Sequence, residues 1–332
     1  MNWFVTSFSI LSQSPAGIFD LMAHCLFIGS KKFGLDCLAL LSASFPSTVC
    51  AAVTVDDRND TRTVYTGFVR LAKQNALTLH TLPRGGDLRP YLETYKPALV
   101  FVCNWYRLIA PELLAMPKRG FAGIHFSLLP QYRGGAPVAW AMINGEQSTG
   151  FSLFRIEEGM DFGPLYAQGR VAIGEDDYIA DVLARLENDS LRCLEAKFPA
   201  IVDGSAVPVP QAREKASYAA QRLPEDGEID WRRSQRRIYD FIRAQSRPYP
   251  GAYTPLEGKR LHIWRARPRE GIYYGHPGQV AAFDRDEAIV VCGDDKALIL
   301  QETSLDGVPC TPKQALKSIS RRLERESMRP CN

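Results

Sequence analysis

Short apolar segments alternate with amphipathic segments through the first two thirds of the chain. The apolar runs are rich in Val, Ile, Leu and Phe, and they predict strands at residues 25–28, 48–55, 77–82, 98–103, 121–124, 152–156 and 165–173. Apolar residues at helical spacing predict helices at residues 34–41, 65–75, 87–95 and 181–202. This alternation indicates βαβ units and a mostly parallel sheet covered on both faces, so the predicted fold class is α/β.

The pattern changes after residue 203. Residues 204–224 contain scattered Pro, Gly and Ala without clear periodicity and are predicted to link two domains. A predicted helix at 229–244 precedes short strand-like runs separated by Gly, Pro and Asp, at residues 260–264, 279–282, 288–292 and 297–301. These runs predict a small β-barrel domain over residues 225–310. The final segment, residues 311–332, is predicted to contain a basic terminal helix at 313–329.

The first 21 residues differ from the rest of the chain. They are partly apolar but contain no Lys or Arg, so the positively charged start of a signal peptide is missing. The first predicted strand begins soon after Met22. Two hypotheses account for this: Met22 is the biological start, or residues 1–21 form a loosely attached arm. In either case the first domain is predicted to span residues 22–203.

Composition narrows the function classes. The 332 residues include 40 Lys and Arg against 37 Asp and Glu, and this net charge of +3 argues against a protein that mainly clamps long nucleic acids. No apolar run approaches the roughly 18 residues of a membrane-spanning helix. The cysteines show no C-x-x-C spacing, which favours reduced thiols in a cytoplasmic protein over a metal or redox motif. The loop Gly29–Gly34 lacks the GxGxxG spacing, so no dinucleotide site is predicted there.

Two neighbouring clusters contain the candidate chemistry. His125 stands at the end of a predicted strand and is followed by the Pro- and Gly-rich sequence FSLLPQYRGGAP. About thirty residues later, Asp161 lies in the Gly-containing loop between two further strands. Ligand sites of α/β proteins lie outside the carboxyl ends of their strands. We therefore expect one functional site that contains both His125 and Asp161.

The same two clusters resemble a known family. The segments HFSLLPQYRGGAP (125–137) and TGFSLFRIEEGMDFG (149–163) are similar to the folate-dependent formyltransferases. Residues 225–231, 242–244, 248–253 and 258–264 resemble the C-terminal domain of methionyl-tRNA formyltransferase and its amino-sugar relatives. The resemblance covers about residues 24–310. It implies a Rossmann-like formyl-transfer domain, a small C-terminal barrel and 10-formyltetrahydrofolate as the formyl donor.

The resemblance also implies roles for individual residues. His125 would move protons during attack of an amine on the formyl carbon, and Asp161 would orient the imidazole ring. The family places an Asn, as oxyanion donor, where this chain has Gly123. Three alternatives remain open: Asn104 supplies the missing donor, the enzyme hydrolyses formyltetrahydrofolate, or the protein binds folate without reaction.

The remaining site residues are implied by the same resemblance. The implied folate pocket comprises Trp105, Tyr106, Arg107, Leu108, Ile109, Ile156, Glu157, Glu158 and Asp161. The implied acceptor side comprises Ser127, Tyr132, Arg133, Gly134 and Gly135.

The acceptor is a second open question. Residues 56–62 contain three acids and two bases, which suits a polyphosphate backbone poorly. The preferred acceptor is therefore the amine of a nucleotide-linked amino sugar, with Arg133 as a phosphate ligand. Methionyl-tRNA is the alternative acceptor, and the resemblance is compatible with a homodimer.

Overall fold

The computed structural model describes residues 24–60 and 62–323. The hypotheses about residues 1–21 and Met22 lie outside these residues, as does the predicted helix beyond residue 323. The seven cysteines within the described residues are free thiols. In this part of the chain, no helix combines the length and the apolar character needed to cross a membrane.

Residues 25–203 alternate between strands and helices. The strands are β1 (Cys25–Gly29), β2 (Val49–Val55), β3 (Leu79–Leu82), β4 (Leu99–Cys103), β5 (Phe121–His125), β6 (Arg133–Gly134), β7 (Ser148–Ile156) and β8 (Leu165–Ala172). The helices are α1 (Lys31–Ser44), α2 (Tyr65–Gln74), α3 (Arg89–Tyr95), α4 (Pro111–Leu114), α5 (Pro137–Ile143) and α6 (Ile179–Asp203). The predicted α/β class is confirmed, and the predicted bounds shift by a few residues.

Seven strands form the main sheet, in the order β3-β2-β1-β4-β5-β7-β8. The first five run parallel, and β7 and β8 are antiparallel to their neighbours. Every residue of β1 and β4 is buried, because helices cover both faces of the sheet centre.

The two faces of the central strands carry different apolar sets. Phe27 and Phe101 pack with Phe198 of α6, whereas Leu26 and Val100 pack in a second cluster on the other face. Burying an apolar side chain of this size stabilises the fold by about 1.5–3 kcal/mol. Because a slip of one residue would exchange the two sets, this packing specifies the strand register.

The register places the ends of β4 and β5 side by side. Val102 of β4 lies opposite Gly123 of β5. The next residues toward the carboxyl ends, Asn104 after β4 and His125 at the end of β5, therefore leave the sheet at the same edge.

The segment between the two domains is docked onto the first of them. Within it, β9 (Tyr218–Ala219) pairs in parallel with β6, and Val209 forms a bridge with Leu165 at the start of β8. The predicted linker is therefore a packed part of the structure, because several of its backbone hydrogen bonds are made to the first half of the chain.

The second half contains a long helix packed against antiparallel strands. They are α7 (Gln235–Gln245), β10 (Ala252–Leu256), β11 (Lys259–Arg269), β12 (Val280–Asp284), β13 (Glu287–Val291), β14 (Ala297–Leu305) and β15 (Val308–Cys310). The strand order is β10-β11-β14-β13-β12, with β15 paired to β14. The predicted start of α7 at residue 229 is wrong, because Ser234 caps the helix by accepting a hydrogen bond from the Arg237 amide.

The predicted terminal helix at 313–329 is also wrong over its described part. The observed helix, α8 (Pro312–Leu316), begins at a Thr311 capping box and ends at Lys317, which adopts a left-handed φ of 62°. Leu323 then returns to the core of the second half, where it is fully buried. Because the chain turns back to bury Leu323, the helix predicted from the spacing of the basic residues does not continue beyond Leu316.

Candidate active site

His125 and Asp161 face each other at the carboxyl edge of the sheet. His125 Nδ1 lies 3.6 Å from Asp161 Oδ2, and the two side chains are 11% and 23% exposed. His125 Nε2 lies 2.9 Å from the Tyr132 carbonyl oxygen. A carbonyl can only accept, so Nε2 carries the hydrogen of that bond. Nδ1, beside the carboxylate, is therefore the ring nitrogen available for proton exchange.

Backbone geometry aims the Asp161 carboxylate. Asp161 has a left-handed φ of 54° in the loop between β7 and β8. Its Oδ2 accepts a 2.8 Å hydrogen bond from the Gly134 amide. Gly134 has a φ of 101°, and a side chain there would approach the Ala219 carbonyl oxygen to 2.6 Å. The Gly at 134 therefore allows the amide to reach the carboxylate.

The predicted acceptor-side loop contains residues that cannot face a substrate. Ser127 and Arg133 are each only 1% exposed. Ser127 Oγ donates to the Gln131 carbonyl, which closes the turn. The Arg133 guanidinium lies 4.0 Å from the centre of the Phe162 ring and donates to Gln211. The prediction that Arg133 binds an acceptor phosphate is wrong, because its charge is enclosed by protein.

The other predicted members of that loop hold the site through their backbone. Tyr132 contributes its carbonyl to His125, while its hydroxyl donates to Glu146. Gly135 approaches the docked segment so closely that an added Cβ would lie 2.6 Å from Gln221 Cα. The backbone of Tyr132, Gly134 and Gly135 thus contacts His125, Asp161 and the docked segment respectively.

A cavity of about 300 Å³ opens beside the His125–Asp161 pair. It is lined by Val102, Asn104, Trp105, Gly123, Ile124, His125, Phe126, Gly134, Pro137, Phe154, Ile156 and Asp161. Its walls expose polar and apolar surface in similar amounts, and Asn104, His125 and Asp161 supply polar side chains. This combination is typical of a pocket that encloses a flat organic molecule and orients its reactive group.

The predicted folate residues divide between different surroundings. Within the predicted segment 105–109, Trp105 lines the cavity, whereas the side chains of Tyr106 and Leu108 are 63% and 98% exposed. Arg107 donates to the Pro83 carbonyl, and Ile109 packs against the core.

The second predicted folate segment also divides. Ile156 and Asp161 line the cavity beside His125. Glu157 and Glu158 instead border a neighbouring cavity of about 510 Å³, where Glu157 forms an ion pair with Arg155. The structure therefore brings Trp105, Ile156 and Asp161 to the cavity and leaves the other predicted folate residues elsewhere.

Gly123 lines the same cavity as His125 and Asp161. A Cβ at this position would lie 2.8 Å from the Val102 carbonyl oxygen and 3.1 Å from Ile156 Cδ1. Asn104 lies on the same cavity with an exposed side chain. Its backbone has a φ of 49°, and its carbonyl accepts a 2.5 Å hydrogen bond from Ser30 Oγ.

A second cavity, of about 330 Å³, adjoins the first and shares Pro137 with it. Arg62, Arg222 and Tyr249 are among its lining residues, so the first half, the docked segment and the second half all contribute. Arg222 donates to the Asp226 carbonyl and to Gln245 Oε1, and its guanidinium lies over the Trp140 ring at 4.9 Å. Burial lowers the pKa of Arg222 from its ordinary value.

Sequence reasoning did not identify Gln211 or Arg222. Both lie in the aperiodic segment that the sequence marks as a linker. No local pattern indicates that Gln211 reaches Asp161, because their proximity depends on the pairing of β6 with β9.

Comparison with known proteins identifies relatives that match both halves of the chain. The formyl transferase family matches residues 48–195, and the family's C-terminal domain matches residues 223–320. A methionyl-tRNA formyltransferase from Caldanaerobacter subterraneus subsp. tengcongensis is 32% identical over 282 residues, which cover 83% of this chain and 90% of the relative. Another, from Anaeromyxobacter dehalogenans, is 34% identical over 255 residues, with coverage of 74% and 78%.

Solved structures extend the comparison of the fold. The sugar 3N-formyl transferase WlaRD, crystallised with dTDP and 5-N-formyl-THF, superposes with a TM-score of 0.64 at 18% identity, covering 84% of this chain and 97% of WlaRD. An N-formyltransferase from Helicobacter canadensis gives a TM-score of 0.64 at 17% identity, covering 83% and 98%. At these identities the structural likeness concerns the fold.

Proposed function

The chain belongs to the formyl transferase family, and on that premise we propose that it transfers a formyl group from 10-formyltetrahydrofolate to the amine of a nucleotide-linked amino sugar. The observation that carries the proposal is the His125–Asp161 pair on a cavity that adjoins a second, arginine-lined cavity. The first cavity would receive the formyl end of the donor, and the second would receive the anionic part of the acceptor.

The proposed reaction exchanges one carbon–nitrogen bond for another. The acceptor nitrogen bonds to the formyl carbon, the bond between that carbon and folate N10 breaks, and a proton passes from the acceptor amine to N10. In this proposal His125 Nδ1 takes the proton from the amine and returns it to N10, since Nε2 donates to the Tyr132 carbonyl. The neighbouring Asp161 carboxylate stabilises the ring while it carries that proton.

The negative charge on the formyl oxygen needs a donor during this exchange. Gly123 has no side chain to offer, and the surrounding backbone leaves no room for one. Asn104 is the proposed substitute, because its amide side chain lies on the same cavity. Loss of an oxyanion donor costs about a hundredfold or more in rate. Asn104→Ala should therefore lower kcat by about that factor.

Charge around the second cavity supports a small anionic acceptor. In the loop after β2, Asp57 and Asp60 both pair with Lys31, and Arg58 pairs with Asp56. Arg62 and Arg222 line the cavity itself, where Arg62 lies 3.5 Å from Asp60 and Arg222 donates to Gln245. Two guanidinium groups suit a diphosphate, whereas tracking a nucleic-acid backbone uses a longer series of cations.

Methionyl-tRNA is the second candidate acceptor, because the relatives at 32% and 34% identity are methionyl-tRNA formyltransferases. A third candidate, hydrolysis of the formyl donor, rests on the absence of a side chain at Gly123. A homodimer and a cytoplasmic location stay predictions.

The test uses 10-formyltetrahydrofolate labelled in the formyl group. The purified protein is incubated with a panel of nucleotide-linked amino sugars, with methionyl-tRNA, or with no acceptor, and labelled N-formyl product and formate are both measured. The proposal predicts N-formyl sugar nucleotide as the main product. A labelled methionyl-tRNA product would establish the second candidate, and equal formate release in all three incubations would establish hydrolysis.

One pair of variants tests the assignment of the site. His125→Ala should abolish turnover while leaving folate binding within about threefold, since the ring moves protons at one end of the cavity. His276→Ala is the matched control, because His276 is exposed on the second half of the chain. Full activity of the His125→Ala protein would refute the site.

A further inference from the structure

Gln211 of the docked segment reaches beneath the catalytic loop. Its side chain is buried, with 8% of its surface exposed. Its Nε2 donates to the carbonyl oxygens of Asp161, at 2.8 Å, and Gly163, at 2.6 Å. Its Oε1 accepts from Arg133, at 3.2 Å from Nε and 2.6 Å from Nη2.

These partners leave only one orientation for the amide group. A guanidinium can only donate and carbonyl oxygens can only accept. A flipped amide would turn its NH2 group toward Arg133 and its oxygen toward the two carbonyls, and all of these hydrogen bonds would be lost. Arg133 is itself immobilised by burial and by its contact with the Phe162 ring. Gln211 therefore links a fixed cation to the backbone of the Asp161 loop.

Asp161 is held from two sides. Gln211 binds its carbonyl, and the Gly134 amide binds its carboxylate. A left-handed backbone conformation such as that of Asp161, with a φ of 54°, is unfavourable for a non-glycine residue. The bonds from Gln211 offset that cost and keep Oδ2 directed at His125 Nδ1.

We propose that Gln211 is a positioning residue for formyl transfer: it fixes the Asp161 loop from the segment that joins the two halves of the chain. This inference rests on the proposed function for its effect on rate. A misplacement of catalytic groups by about 1 Å can lower a rate by about a hundredfold. Loss of the two Gln211 donors is expected to lower kcat at least tenfold.

Gln211→Glu separates positioning from packing. The introduced carboxylate has nearly the same shape and pairs with Arg133 more strongly than the amide does. It cannot donate to the Asp161 and Gly163 carbonyls, so the loop loses its support while Arg133 keeps a partner. Gln211→Met, which has neither group, is the second variant. Gln74→Glu, on the exposed surface of α2, is the matched control.

Three quantities are measured for each protein: kcat and KM for formyl transfer, the folate dissociation constant, and hydrogen exchange of the Gly134 amide. The proposal predicts a fall in kcat of at least tenfold for both Gln211 variants, folate binding within about threefold and faster exchange at Gly134. It also predicts that Gln74→Glu matches the wild type. A folded Gln211 variant with kcat within twofold of wild type, or with unchanged exchange at Gly134, would overturn it.

Two further outcomes are distinguishable. If kcat, folate affinity and melting temperature fall in parallel, Gln211 has a structural role and the positioning proposal is overturned. If the wild-type protein releases neither N-formyl product nor formate, the proposed function fails. The exchange rate of the Gly134 amide then still decides whether Gln211 holds Asp161 in place.

Discussion

Gly123→Ala is the most direct test of why this chain has no side chain on the floor of its catalytic cavity. The new Cβ would lie 2.8 Å from the Val102 carbonyl oxygen and 3.1 Å from Ile156 Cδ1. Ile156 Cδ1 ends a flexible side chain and can move. The Val102 carbonyl belongs to β4, which β1 and β5 hold on both sides, so it can yield only if the sheet shifts.

The expected size of the effect combines two opposing contributions. Overpacking a tight interior costs about 1–3 kcal/mol. Replacing Gly by Ala also restricts the unfolded chain, which stabilises the protein by about 0.4–1 kcal/mol. Values near the middle of both ranges leave a net loss of about 1–2 kcal/mol. A domain of this size loses about 2–4 °C in Tm per kcal/mol, so we expect Tm to fall by about 2–8 °C.

Thermal unfolding followed by circular dichroism measures this shift. Gly275→Ala is the matched control, because the nearest atoms to its Cβ are side-chain atoms at 3.2 and 3.3 Å in an exposed loop. A Gly123→Ala protein as stable as wild type would refute the steric argument. A Gly123→Asn protein with a kcat tenfold above wild type would refute it as well, because the asparagine amide would then have found room in the cavity.

Three further outcomes are expected. Asp161→Asn should lower kcat by about a hundredfold or more with little change in Tm, because Asn tolerates the left-handed backbone but removes the charge beside the imidazole. Steady-state kinetics and calorimetry measure the two quantities, and an unchanged kcat would contradict the prediction. Arg222→Gln should raise KM for a phosphate-bearing acceptor at least tenfold and leave the donor KM unchanged; equal effects on both would contradict a phosphate role. Lys31 lowers the pKa of Asp60 to about 2, so this ion pair stabilises the fold above the unfolded pKa of about 3.9, and its contribution is lost as the pH falls toward 2. Urea unfolding should therefore show that Asp60→Asn lowers the free energy of unfolding at pH 7 but not near pH 2. An effect that does not depend on pH would contradict this linkage.

Much of the first half could be predicted from local pattern. Fully buried strands such as β1 and β4 appear as uninterrupted apolar runs, and this signal needs no information from the rest of the chain. The bounds of α7 and α8 were predicted poorly for a physical reason. Ser234 caps the first helix late, and burial of Leu323 ends the second helical pattern early.

The candidate site was only partly predictable. His125 and Asp161 stand in sequence contexts that place them at strand ends, and the structure brings them together. Arg133 has the same charge whether it is exposed or enclosed, so the sequence could not show that Phe162 and Gln211 enclose it.

The sequence by itself determined the α/β class, the family resemblance and the position of the two candidate catalytic residues, because these depend on periodicity and on contiguous motifs. Only the tertiary structure decided which polar groups face the cavity, that the supposed linker is docked and that Gln211 supports Asp161. The reason is that burial and hydrogen bonding depend on residues far apart in the chain. Gln211 lies 50 positions from Asp161, and only the folded sheet and the β6–β9 pair bring them into contact.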